Sequence, residues 1–242
     1  YFDTQIDEHV NPELKEVFGH LKDYILAGGK RLRPNILNMM NGEFRKLEKI
    51  DNILLAFEFL HNSTLIDDDI IDEHDTRRNK PTLPTIYGDR KYRGYFVALL
   101  SANLLRNAGL DLIVNSELPK EFQKECVLAY QDIGRSIDLA QILDLEYRGR
   151  LDLSEEDYIA QTYLVAAKFM AYMFQICAPK QYRSEFFEVG KNLGIAFQLA
   201  DDLIDIDATK QKGRGLGSDI KEGTPTLLSL YAYNRLENQD KE

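Results

Sequence analysis

The chain has no tryptophan, two cysteines and only seven prolines in 242 residues. Nowhere does it sustain the alternation of apolar and polar side chains that marks a half-buried strand. Each shortage excludes something. Cys126 and Cys177 are too few for a disulfide framework and have no metal-ligand spacing, so they read as buried small hydrophobes in a reducing, cytoplasmic setting. No stretch approaches about 18 uncharged apolar residues, so no membrane span is expected. Basic residues number 30 against 40 acidic ones, a net charge of −10. That argues against a general nucleic-acid binder and leaves room for a local basic pocket, while the acidic surplus suits metal sites counted without their ions. No internal repeat is evident. The chain opens at Tyr1 without a methionine, which leaves an upstream leader open.

What is present is helical periodicity. The prolines stand at 12, 34, 81, 84, 119, 179 and 225, and the long intervals between them carry apolar residues at helical spacing. Pro12-Glu13 reads as a helix start and Gly28-Gly29 as a stop after Ala27. Further helices are expected at about Asn35–Phe44, Asp51–Glu73, 94–115, 120–148, 154–177 and 183–207, with Ser154 capping through Asp157. The linker Asp207 to Thr226 is polar and glycine-rich, as a mobile lid would be. At 44% hydrophobic residues, the chain suffices for one core, so the fold class is all-α, a helical bundle in a single domain over 1–242.

One stretch organises the rest: Leu65-Ile66-Asp67-Asp68-Asp69-Ile70-Ile71-Asp72, followed by Arg77-Arg78. On a helix, Asp68 and Asp72 share a face one turn apart, with Asp69 on the flank. Read alone, the run is a solvated acidic helix end. The spacing recurs, however, at Asp201-Asp202-Leu203-Ile204-Asp205, set among apolar residues that a solvated run would not need. Carboxylates without sulfur or imidazole beside them suit Mg²⁺, which bridges carboxylate to phosphate oxygen. Lys30 and Arg33 follow flexible glycines and could converge on a diphosphate, or form a solvated basic turn. Arg77 and Arg78 could fork onto phosphate or pair with Glu73 or Asp75. His61 lies two turns before Asp68 on nearly the same face, where a packed core histidine is the plainer reading. Gln141 and Asp144 share a helix face and could orient metal or its water shell.

With these motifs in order, from Gly28-Gly29-Lys30-Arg31-Leu32-Arg33-Pro34 through His61, both aspartate motifs, Gln141-x-x-Asp144 and Gly217-Ser218-Asp219, the sequence resembles the trans-isoprenyl diphosphate synthases, the polyprenyl synthetase family. The likeness covers about Gly28 to Leu228 and is closest in kind to the geranylgeranyl-type members. It implies the helical isoprenoid-synthase fold around a central cavity, usually as a homodimer, and, as the sequence stops soon after Arg235, terminal helices common in the family are not expected within it. By the same resemblance, Lys30, Arg33, His61 and Arg78 hold isopentenyl diphosphate. Arg77 attends the allylic diphosphate, Lys168 and Arg214 stand in for family cations there, Gln198 helps to orient metal or its water shell, and three Mg²⁺ ions are bound with substrate. Asp68, Asp69, Asp72, Asp144, Asp201, Asp202 and Asp205 are the candidate metal residues; Asp68, Asp72, Arg77, Gln198 and Asp201 are the candidate catalytic ones.

The implied chemistry is loss of diphosphate from an allylic substrate, attack on the resulting cation by the double bond of isopentenyl diphosphate, and loss of a proton to the departing diphosphate. No protein base is required. Members stopping at fifteen carbons place aromatics four and five positions before the first aspartate; here these are Thr64 and Ser63. The next bulky residues are Leu60 and Phe57, roughly 6 to 10 Å deeper at helical rise. An isoprene unit spans on the order of 5 Å, so a C20 to C25 product is expected. The chain departs from the family where Lys-Thr is usual (Val165-Ala166, with Lys168 one turn on as substitute or surface charge), where Gly-Asp is usual (Ser101-Ala102), and at Thr224, where a lysine is expected. Gly213-Arg214 keeps its charge. Two other readings stand beside the synthase: a terpene cyclase, for which the second diphosphate set would have no purpose, and a catalytically silent partner of an active prenyl synthase.

Overall fold

The structure, a computed structural model, describes residues 1–8, 11–88, 92–207 and 217–236. In chain order its elements are α1 (Phe2–Glu8), α2 (Pro12–Leu26), α3 (Leu32–Met40), α4 (Asp51–Ile71), β1 (Thr76–Arg77), β2 (Lys80–Pro81), α5 (Leu83–Ile86), α6 (Arg93–Val114), α7 (Lys120–Tyr147), α8 (Glu155–Thr162), α9 (Lys168–Gln175), α10 (Arg183–Asp205), α11 (Ser218–Glu222) and α12 (Leu227–Arg235). The architecture is all-α, as the proline spacing led one to expect. Local chemistry accounts for the helix starts. Pro12 occupies the first turn of α2, and the Asn11 side chain accepts from the Leu14 N–H. Ser154 and Asp157 form the expected reciprocal cap at α8.

The chain packs as two compact units. The first comprises Tyr1–Leu32 and Asp51–Glu117. Its core joins Phe18, Leu21 and Ile25 of α2 to Phe59 and Ile66 of α4 and to Ala98, Ala102 and Leu105 of α6. Each large side chain so buried stabilises by about 1.5–3 kcal/mol before chain entropy is counted. The alanines of α6 let α4 lie close along it. By length and composition α6 could cross a membrane, with a mean hydropathy of 1.4; its charges, Arg93, Arg106 and Asp111, break the uncharged run without lowering the average much. Its Arg106 is ion-paired to Asp67 of α4.

The second unit comprises Arg33–Ile50 and Leu118–Glu242. Here α10 packs along α9 and the π turn Tyr163–Ala167 that precedes it. The approach is close because Gly194 has no side chain: a Cβ there would lie 2.5 Å from Ala167 Cα. A smaller core gathers Leu153, Tyr158 and Leu230, with Leu199 against it. The expected helix 154–177 is therefore three segments rather than one, and Asn35–Phe44 ends in a second π turn, Asn41–Arg45. The expected linker also contains structure, the short α11. Residues 208–216 of that linker lie outside the described residues.

Candidate active site

The first acidic motif occupies the C-terminal end of α4. There the unsatisfied carbonyls already present partial negative charge, so carboxylates at this end are doubly disfavoured without a cation. The chain supplies part of the answer. Asp69 is 1% exposed and accepts from Tyr24 Oη at 2.7 Å and from Arg77 Nε at 2.6 Å. The other arm of Arg77 donates to Asp68 Oδ2 at 2.5 Å. Arg77 thus pairs with the motif itself, and neither Glu73 nor Asp75 is needed. Burial opposes its charge, but Asp68, Tyr24 and Asp69 together hold its proton more tightly than usual. Burial, reinforced by Asp69, pushes the Tyr24 hydroxyl well above its ordinary range, so it remains a donor.

A tight hairpin puts Arg77 there. Thr76 pairs with Pro81 and Arg77 with Lys80, and the turn residues Arg78 and Asn79 both have positive φ, 54° and 60°. Thr82 closes the loop by donating its hydroxyl to the His74 carbonyl at 2.6 Å. Glu73, also at positive φ, turns the chain back after the helix. His74 therefore joins Asp68 and Asp72, and one ligand atom from each lies within 4.8 Å of the others. Two carboxylates with a neighbouring imidazole fit a divalent cation. The sequence pattern gave no sign of His74, because the reversal at Glu73 that delivers it has no glycine or proline to announce it.

Arg78 points elsewhere. Its Nη1 is buried with no hydrogen-bond partner, and burial together with the nearby Arg31 charge lowers its pKa. With Arg77, Lys80, His20, Asp23 and Tyr24 it lines a cavity of about 290 Å³. Gly29 sits at φ +116°, a conformation that side-chain-bearing residues rarely adopt, and a Cβ there would lie 3.0 Å from Arg78 Nη2. Between the two predicted cations of this loop, Arg31 is an anchor: it pairs with Glu58 and donates to the Ile25 carbonyl. Lys30 is exposed and His61 half-buried. Further up α4, Phe57, Leu60, Ser63 and Thr64 are all buried. Ser63 Oγ donates to the Leu60 carbonyl at 2.7 Å and accepts from Arg106 Nε at 3.2 Å.

In the second unit, Asp202 and Asp205 are 6% and 2% exposed. Tyr158 Oη and Gln198 Nε2 donate to Asp202 at 2.6 and 2.9 Å. Burial and that bond raise the Tyr158 pKa far above its usual value. Asp205 accepts from Ser218 Oγ at 2.5 Å and from the Asp219 N–H at 3.1 Å, which fastens α11 to the end of α10. Asp201 is half-buried beside them. Asp144 accepts from Arg148 and Gln161, each through one oxygen; Gln141 is a turn away on α7. The Arg33 guanidinium lies 4.9 Å from the Phe169 ring centre. Lys168 is paired with Asp132 at 2.8 Å, and Tyr172 donates to the same carboxylate. Arg214 lies outside the described residues.

The family model for polyprenyl synthetase matches residues 15–242. The chain belongs to that family. It is a prenyl diphosphate synthase, a transferase of prenyl groups. A geranylgeranyl diphosphate synthase of Sulfolobus acidocaldarius is 31% identical over 100% of this chain and 78% of its own length. Among solved structures, a geranylgeranyl pyrophosphate synthetase of Pyrococcus horikoshii superposes with a TM-score of 0.82 at 26% identity, covering 99% of this chain and 74% of that one. A polyprenyl synthase of Caulobacter crescentus, crystallised with calcium and isoprenyl diphosphate, gives 0.79 at 28% identity, covering 99% and 72%.

Within this polyprenyl synthetase, pattern reading found the acids and missed their partners. Tyr24, Tyr158 and Arg106 come from other helices, and nothing in local spacing marks a tyrosine as the donor to a particular carboxylate.

Proposed function

We propose that this synthase condenses isopentenyl diphosphate with an allylic diphosphate, head to tail and trans. The observation that carries the reading is the pairing, on one short stretch of the first unit, of metal-competent acids with a guanidinium that has a buried, unsatisfied N–H. Asp68, Asp72 and Asp201 are the residues to hold Mg²⁺, about three ions with substrate bound. Magnesium there would neutralise the departing diphosphate's charge. Asp69 and Asp202 act from behind as fixed, buried acceptors that set the angles of their helices. Arg77 balances charge at Asp68 and turns one edge to the allylic diphosphate, while Lys30, Arg33, His61 and Arg78 take the isopentenyl one. Gln198 positions the second motif. The apolar wall of α4 keeps water from the allylic cation. Lys168 is held by Asp132 and serves the fold of α9 rather than substrate.

The product expected from Ser63 and Thr64 is C20 to C25. A second copy of this chain is the natural cover for α6, whose Phe96, Leu99, Leu100 and Leu104 are exposed along one face. Free, buried cysteines are in keeping with a reducing cytoplasm. Neither a terpene cyclase nor a silent partner subunit is favoured. The test is incubation of the purified chain with Mg²⁺, labelled isopentenyl diphosphate and farnesyl diphosphate, followed by chromatography. Elongated allylic diphosphates are expected; a cyclised hydrocarbon, or no turnover, contradicts the reading.

A further inference from the structure

The two small residues on α4 do not leave equal room. Among the described residues Thr64 carries only its own bond to the His61 carbonyl, at 2.8 Å. Beside Ser63, by contrast, α6 delivers Arg106: its Nε donates to Ser63 Oγ at 3.2 Å and its Nη2 is paired with Asp67. The guanidinium therefore lies along one edge of α4 from five residues before the first aspartate to one before it. Ser63 itself is fully buried, so the volume that a serine would open is filled by a side chain from the next helix. We propose that Arg106 is a chain-length determinant, supplying from α6 the bulk that position 63 lacks. The proposal rests on the prenyl-elongation reading above and deepens it.

The physical argument has two parts. A guanidinium clasped by a carboxylate and a hydroxyl is held against α4 and does not swing aside for an apolar tail, because leaving would strand Asp67, whose side chain is only 18% exposed. An apolar tail pressed against it gains less than one packed on Leu60 and Phe57, since the charged N–H groups would lose solvent without gaining acceptors. The tail is thereby confined to the Thr64 side, and the depth beyond Ser63 stays closed.

Three chains are compared by product chromatography from farnesyl diphosphate and labelled isopentenyl diphosphate: wild type, Arg106→Ala and Arg106→Leu, the last as the variant better suited to fold. Both variants are expected to lengthen the dominant product by at least one isoprene unit, Ala more than Leu, while Ser63→Ala leaves the length unchanged because Arg106 still fills the space. Variants that fold, elongate and stop where wild type stops overturn the proposal alone. A wild type that makes no longer prenyl diphosphate overturns both it and the reading beneath it.

Discussion

The two acidic motifs share a spacing and differ in what neutralises them. In each, the middle aspartate is buried and accepts a tyrosine hydroxyl from another helix, Tyr24 to Asp69 at 2.7 Å and Tyr158 to Asp202 at 2.6 Å. Beyond that they diverge. The first motif carries its own cation, Arg77, forked across Asp68 and Asp69. In the second, Gln198 donates to Asp202, and Ser218 with a backbone N–H to Asp205. A motif with a built-in counter-charge can stand assembled before its ligands arrive.

The largest expected effect tests what the motifs have in common. Asp68→Ala and Asp201→Ala should each lower kcat by roughly 100-fold or more, since each removes charge stabilisation at the departing diphosphate. Steady-state kinetics at saturating Mg²⁺ check this, and a large loss for only one of them would break the equivalence. Next comes the built-in cation. Arg77→Leu strands buried Asp69 and should destabilise by about 3–5 kcal/mol, whereas Gln198→Leu should cost about 1–3 kcal/mol; urea denaturation of both orders them. The tyrosines follow. Tyr158→Phe and Tyr24→Phe should each cost about 1–3 kcal/mol, since each leaves a buried carboxylate one donor short.

Those contrasts were only partly legible beforehand. Helix existence followed from proline spacing and apolar period, and Ser154 announced its own cap through Asp157. The π turns at Asn41–Arg45 and Tyr163–Ala167 did not; the second sits where Gly194 lets another backbone approach, a tertiary feature that local spacing does not carry. The acids were visible through their repeated spacing. The burial of Asp69 and Asp202 was not, since it goes with tyrosine hydroxyls from more than forty residues away.

The smallest effect lies outside both motifs, at Lys168. Although burial pulls the Asp132 pKa upward, hydrogen bonds from Lys168, Tyr172 and Arg135 hold it below the usual carboxylate value. A carboxyl depressed in the folded state contributes stability above its unfolded pKa of about 3.9, and that contribution is lost as pH falls through the lower folded value. Lys168→Met should therefore reduce stability at neutral pH slightly and flatten its fall below about pH 5, with kcat nearly unchanged. Thermal melts across pH 3 to 7 measure the first and assays the second; a collapse of kcat would return Lys168 to the diphosphate site.

The central proposal is that acids of each motif hold magnesium for the substrate diphosphate. Calorimetric titration of a non-reactive allylic diphosphate analogue into the protein with Mg²⁺ tests it most directly, using wild type, Asp72→Asn and Asp201→Asn. The account predicts that either single substitution removes the magnesium-dependent part of the binding. Wild-type affinity in the Asp201→Asn protein would contradict it.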